Sequence, residues 1–297
     1  MGKATRIRQR SAREKIAAQR EAERRAEMRR RLFITAGSVL GVIVIVVSFI
    51  VFKSLKPPAT AQGGSTTGTA LPASVIHDLT NVPASTLAAV GKGSTGPRTV
   101  ISLPGTPLTS GGKPEVLYIG AEYCPYCAAE RWAMTVALSK FGTFSGLRGI
   151  HSSSTDVYPN TPTLTFYKSA YKSKYLVFTP VETTTVTKQA LQKLTAAQQA
   201  LLAKYDAPPY VSQANAGAIP FIDFGNRYLV SGASYSPQVL AGKTWSQVAS
   251  ALSNPSSPIS QGAVGAANMI TASVCKLTNN QPATACTPAI QKLEGQL

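Results

Sequence analysis

An α/β fold is predicted for most of this 297-residue chain, and three features of the sequence predict it. The all-apolar run Val116-Leu117-Tyr118-Ile119 reads as a central strand buried on both faces. A segment of helical period follows it, with Ala128, Trp132, Ala133, Val136, Ala137 and Phe141 on one side. Further on, two short apolar stretches meet at Gly225-Asn226, which is the signature of a tight hairpin.

Taken from the N-terminus, residues 1–31 carry twelve Lys/Arg and four Glu, so net +8 of the total +17 precedes any globular segment. This stretch has no aromatic residue and abuts Leu32 to Phe52, 21 residues without a charge. Such a run forms about 32 Å of helix, enough to cross a bilayer core. The expectation is a single-pass protein with a basic cytoplasmic tail (1–31), a transmembrane helix in the lipid bilayer (32–52) and an extracytoplasmic remainder. Nucleic acid is not an expected partner. A cleaved signal ending near Ala59-Thr60-Ala61 is the alternative, against which Lys53, Lys56 and Pro57-Pro58 intervene. Residues 53–70, rich in Gly, Ser and Thr, are expected to be a flexible linker.

The globular unit is expected over 71–297. Ala73 to Val90 predicts two short helices broken at Asn81-Val82-Pro83, and Thr99 to Leu103 a first strand. Residues 148–187 read as β-rich. The period of Ala190, Leu191, Leu194, Ala197, Leu201 and Leu202 predicts a helix over Thr187 to Tyr205, with Thr187 as its cap. Two more helices are expected near Thr244 to Leu252 and Ser260 to Val274.

Between the central strand and its helix stands Cys124-Pro125-Tyr126-Cys127. If Cys124 opens the helix, the N-terminal N–H groups lower its pKa, and Cys127 lies one turn further in, placed to attack a mixed disulfide. The same spacing can be half of a zinc site, but there is no second CxxC and the two histidines, His77 and His151, do not form a ligand pair. No metal and no cofactor are expected. Glu122 precedes the motif and could take a proton from Cys127 or be an exposed loop carboxylate. Tyr123, Tyr126, Phe221 and Trp132 could form an apolar collar, although the helical spacing of Trp132 fits a core residue better. Cys275 and Cys286 are expected to form a structural disulfide in an oxidising compartment.

The order of strand, Cys124-Pro125-Tyr126-Cys127, helix, Ile219-Pro220-Phe221, hairpin and last helix resembles the thioredoxin-like superfamily. With Gly120-Ala121-Glu122-Tyr123 before the motif and Arg131-Trp132 after it, the layout is most similar to the domain of unknown function 929 family of single-span, thioredoxin-like proteins. The resemblance covers about residues 70–297. It implies a cis peptide before Pro220 and a backbone edge at Ile219 that holds a substrate peptide near Cys124, with Tyr126 and Phe221 beside it. It also implies a thiol-disulfide oxidoreductase, an oxidase or isomerase of cysteine-containing exported proteins, recycled by a membrane redox partner. A non-catalytic thioredoxin-like binding or assembly module is the alternative. Two departures stand out: Tyr118 occupies the place of the buried acid of thioredoxins, and the 92 residues from Cys127 to Pro220 imply an insertion, about 142–207, that caps the site.

Overall fold

The computed structural model describes residues 68–96 and 100–297. The basic tail and the span expected over 32–52 lie outside the described residues. Among those described, no helix is long and apolar enough to cross a membrane.

In chain order the elements are β1 (Thr69–Ala70), α1 (Ala73–Thr80), α2 (Ala84–Val90), β2 (Ile101–Ser102), β3 (Thr109–Ser110), β4 (Lys113–Gly120) and α3 (Pro125–Leu138). Then come β5 (Thr143–Ser145), β6 (Arg148–His151), β7 (Pro162–Thr165), β8 (Ala170–Lys172), β9 (Val177–Glu182) and α4 (Ala196–Tyr205). The chain ends with β10 (Phe221–Phe224), β11 (Tyr228–Ser231), α5 (Trp245–Ala251), α6 (Gly265–Leu277) and α7 (Pro288–Glu294). A single π-helical turn, Ser260–Val264, leads into α6.

The result is a mixed α/β architecture. Its main sheet has the order β2-β11-β10-β4, with β9 on the far side of β4. Strand β4 pairs parallel with β9, Gly120 standing opposite Glu182, and antiparallel with β10, Ile119 opposite Phe221. Alternation along β4 sorts its side chains between two cores. Val116 and Tyr118 join the larger one with Trp132, Ile222 and the α6 residues Ala266 and Ile270. Leu117 and Ile119 join Val181, Tyr205, Phe221 and Leu229 on the other face. Burial on both faces explains why this strand reads as an uninterrupted apolar run.

The hairpin forms where expected, with φ of 63° at Gly225 and 54° at Asn226, the left-handed pair that matches strand twist. The two helices around Asn81-Val82-Pro83 also form. Three expectations are revised. The helix expected from Thr187 begins at Ala196, because Thr195 and Gln198 make a reciprocal capping box, each side chain accepting from the other's backbone N–H. Residues 183–192 instead fold back on the end of β9, with Leu191 and Gln192 N–H groups donating to Thr183 and Glu182 carbonyls. The last residues of the expected linker are structured, since β1 pairs with Arg148 and Gly149 of β6. Of the stretch expected as an insertion, β9 lies in the main sheet, while β6 and β7 form a small separate sheet with β1.

That small sheet is fixed to the C-terminal half through Trp245. Its indole Nε1–H donates to the Thr163 carbonyl at 2.8 Å and to the Ile150 carbonyl at 3.2 Å, one on each strand. Gly149 makes room for the ring: a Cβ there would lie 2.9 Å from the nearest indole carbon. At the other end, a Cys275–Cys286 disulfide ties the end of α6 to the turn before α7, as expected.

Candidate functional site

Strand β4 ends at Gly120, and four residues later Cys124 caps α3 from an extended backbone conformation (φ −77°, ψ 122°). Pro125 takes the first helical position, where its missing N–H costs nothing. The Cys124 sulfur accepts the backbone N–H of Cys127 at 3.3 Å, so it fills the role a Ser or Asp side chain plays at other helix starts. Its own S–H points to the Ile219 carbonyl, 3.7 Å away. The Ile219–Pro220 peptide is cis. Cys124, Cys127 and Ala121 form a small buried cluster with Tyr123 and Ile219 packed against it.

The two thiols are free and differ in depth, Cys127 being wholly buried and Cys124 4% exposed. Their acidities separate accordingly. The Cys124 pKa is lowered, first by the hydrogen bond from the Cys127 side chain, which outweighs its burial, and further by backbone N–H groups of Cys127 and Tyr126 and by the Arg131 charge. The Cys127 pKa is pushed well up, first by burial and then by the proton it lends Cys124. A nucleophile nearer the surface and a protonated partner beneath it is the arrangement that thiol-disulfide exchange needs.

Beneath them lies a buried ion pair. Arg131, on the same helical face as Cys124 and Cys127 by its offsets of seven and four, is fully buried. Its Nε and Nη2 donate to the two oxygens of Glu182, each at 2.8 Å, and Nη2 also donates to the Ala121 carbonyl at 2.7 Å. The guanidinium stands 6.0 Å from the centre of the Tyr118 ring. Tyr118 is fully buried, and Gly120 is needed because any side chain there would strike its ring. At the position where a thioredoxin-like acid was absent from the sequence, the structure therefore holds a phenol over an arginine–carboxylate pair. Sequence reading missed Glu182, which only the parallel pairing of β4 and β9 brings here. The helical spacing of Arg131 was the available signal.

The remaining expected residues separate. Glu122 is not an exposed loop carboxylate: it is 1% exposed and accepts the Thr165 hydroxyl at 2.7 Å, and burial raises its pKa. Ile219 is half-buried against the thiols and Tyr126 stands 40% exposed, both at the site. Phe221 points away, fully buried with Leu117 and Ile119 on the opposite face of the sheet, so it supports the strand and does not line the surface. Trp132 is likewise core, its Nε1–H donating to the Pro162 carbonyl at 2.9 Å. Both histidines stand at the surface, and among the described residues no cluster of His, Cys, Asp and Glu could hold a metal ion.

Residues 99–276, more than half of the chain, match the family described as "Domain of unknown function (DUF929)". No curated protein and no solved structure matches the chain.

Proposed function

The chain belongs to the DUF929 family, and we propose that it is a thiol-disulfide oxidoreductase that acts on cysteine-containing exported proteins through Cys124 and Cys127. The observation that carries this reading is geometric: the Cys124 sulfur caps α3 by accepting the Cys127 N–H, and the Cys127 thiol lies wholly buried behind it, an arrangement in keeping with a lowered pKa at Cys124 and a raised one at Cys127. A thioredoxin-like description of the domain is supported by β4, which has a parallel neighbour in β9 and an antiparallel one in β10, directly after Pro220.

In the oxidising direction, a client thiolate attacks Cys124 Sγ of the Cys124–Cys127 disulfide. The S–S bond breaks and Cys127 leaves as a thiolate, which takes up a proton. A second client thiolate then attacks the client sulfur of the mixed disulfide, and Cys124 leaves as a thiolate. The client has lost two electrons and the protein has gained them. Hydrogen bonds that stabilise the Cys124 thiolate favour the reduced protein, so they make its disulfide the stronger oxidant. Ile219 offers its carbonyl, and Tyr126 an apolar face, beside the reacting sulfur. A membrane anchor over 32–52, a cytoplasmic N-terminus and recycling by a membrane redox partner complete the proposal on the strength of the sequence.

The test is trapping. Cys127→Ala leaves Cys124 to attack a client disulfide, the reverse of the step above, and removes the thiol that would release the client, so the full chain should accumulate DTT-sensitive adducts through Cys124. If no adduct forms and the wild type exchanges with no thiol or disulfide, the non-catalytic binding module replaces this reading.

A further inference from the structure

The hairpin loop between β6 and β7 carries an exposed side chain that the chemistry above leaves unused. Among the described residues two large apolar side chains stand exposed, Tyr126 at 40% and Val157 at 68%, and the loop that carries Val157 meets the Tyr126 ring through its next residue. Tyr158, next to Val157, sets its ring edge-on to Tyr126 with centroids 5.9 Å apart. Asp156, on the other side of Val157, lies close enough to Tyr123 for its charge to act on that phenol.

The loop is held in this place. Ser153 N–H donates to the Tyr123 carbonyl at 2.8 Å, which bonds the loop directly to the residue before Cys124. Ser152 N–H donates to the Thr161 carbonyl at 2.9 Å and Asn160 N–H to the Ser153 carbonyl at 3.1 Å, closing its neck. The Ser152 and Thr161 hydroxyls both donate to the Tyr158 carbonyl, at 3.2 and 2.9 Å. A tip so braced keeps Val157 exposed on a loop bonded to the residue before Cys124, at the cost of its hydration, and loses little entropy when it meets a partner.

We propose that Val157, with Tyr158 and Tyr126, is a docking surface for an extended client segment that carries an apolar side chain one to three residues from its reactive cysteine. This rests on the exchange reading of Cys124. The surface is continuous with the point at which the client is bonded in the mixed disulfide, and an extended chain advances about 3.3 Å per residue, so neighbouring side chains fall on this rim. The selected client is therefore an incompletely folded polypeptide whose cysteine lies in an apolar stretch, since such stretches are hidden once folding is complete.

The test compares the rate at which the Cys124–Cys127 disulfide of the full chain is reduced by glutathione and by two cysteine peptides that differ only in a leucine or a serine two residues from the cysteine. The expected result is that the leucine peptide reacts about 5- to 10-fold faster than the serine peptide, the gain available from burying one aliphatic side chain against another. Val157→Ser should reduce that ratio to about twofold with little change in the glutathione rate, and Val157→Leu should preserve it. A ratio that is unchanged in Val157→Ser, or a glutathione rate that falls in step with the peptides, overturns the docking surface. A tip that serves self-association instead overturns it too, and shows as a dimer in sedimentation that Val157→Ser dissociates while the peptide ratio stays put. A wild type that reacts with neither glutathione nor peptide defeats the exchange reading itself, and the inference with it.

Discussion

Replacing Arg131 by Met tests the ion pair on which the two cysteines rest. The substitution removes the two hydrogen bonds to Glu182 and the one to the Ala121 carbonyl while leaving a side chain of similar length. Glu182, with no exposed surface, is then a buried carboxylate without a cation. Breaking a buried pair from one side costs about 3–5 kcal/mol, because the remaining charge keeps its desolvation penalty and loses its compensation. For a domain of this size that corresponds to a fall in Tm of roughly 10 °C. The double variant Arg131→Met/Glu182→Met removes both charges; the Ala121 carbonyl keeps the Cys124 N–H, and the Phe166 N–H loses its acceptor, at about 1 kcal/mol. The assay is urea unfolding at pH 7 followed by circular dichroism and tryptophan fluorescence, whose transitions should coincide. The single variant should lose several kcal/mol, and the double variant most of that loss should regain. A single variant within about 1 kcal/mol of the wild type, or a double variant as unstable as the sum of the two singles, would refute the reasoning.

Two further outcomes are expected. Burial raises Glu130, whose carboxylate accepts the Ser234 N–H and hydroxyl, from 4.5 to about 7. Its folded form holds a proton that the unfolded chain releases above pH 4.5, so its contribution is complete below that pH and is lost as pH rises to about 7. The loss is on the order of 3 kcal/mol. Urea midpoints between pH 4.5 and 8 should therefore fall more steeply for the wild type than for Glu130→Gln, and parallel curves would contradict the assignment. Cys275→Ser/Cys286→Ser opens a loop of sequence separation 11 and should lower stability by about 2–3 kcal/mol with exchange rates at Cys124 intact; lost turnover in a well-folded variant would instead indicate a relay between the cysteine pairs.

Local patterns in this sequence identified what local physics determines. Val116 to Ile119 announced a strand covered on both sides, Gly225-Asn226 announced its turn, and Pro83 and Asn81 announced the break between α1 and α2. Cys124 stands at the junction of the apolar strand and the helical period, where a helix opens. The long-range pairings were another matter. Nothing near Glu182 shows that it will stand beside Gly120, since that follows from the parallel register of β4 and β9 across more than sixty residues. The apolar period from Ala190 onward suggests too long a helix because periodicity does not mark a start, whereas the capping box at Thr195 and Gln198 does. Phe221 illustrates the same limit: its place after Pro220 suggested the surface, and strand alternation turned it into the core. The loop of Val157 reads like any other in the sequence; its bond from Ser153 to Tyr123 and the edge of Tyr158 against Tyr126 are long-range contacts that no local pattern shows.

The indole of Trp245 spans both strands of that hairpin and sits where Gly149 has no side chain. This couples positions 149 and 245 physically, with Leu71 closing the same space. A methyl group at 149 would strike both the indole and the end of the Leu71 side chain, and without the indole the carbonyls of Ile150 and Thr163 lose a shared donor. Across the family the two positions should therefore change together, with a larger residue at 149 accompanied by a smaller one at 245, and drift at either alone should be disfavoured even though neither touches a cysteine.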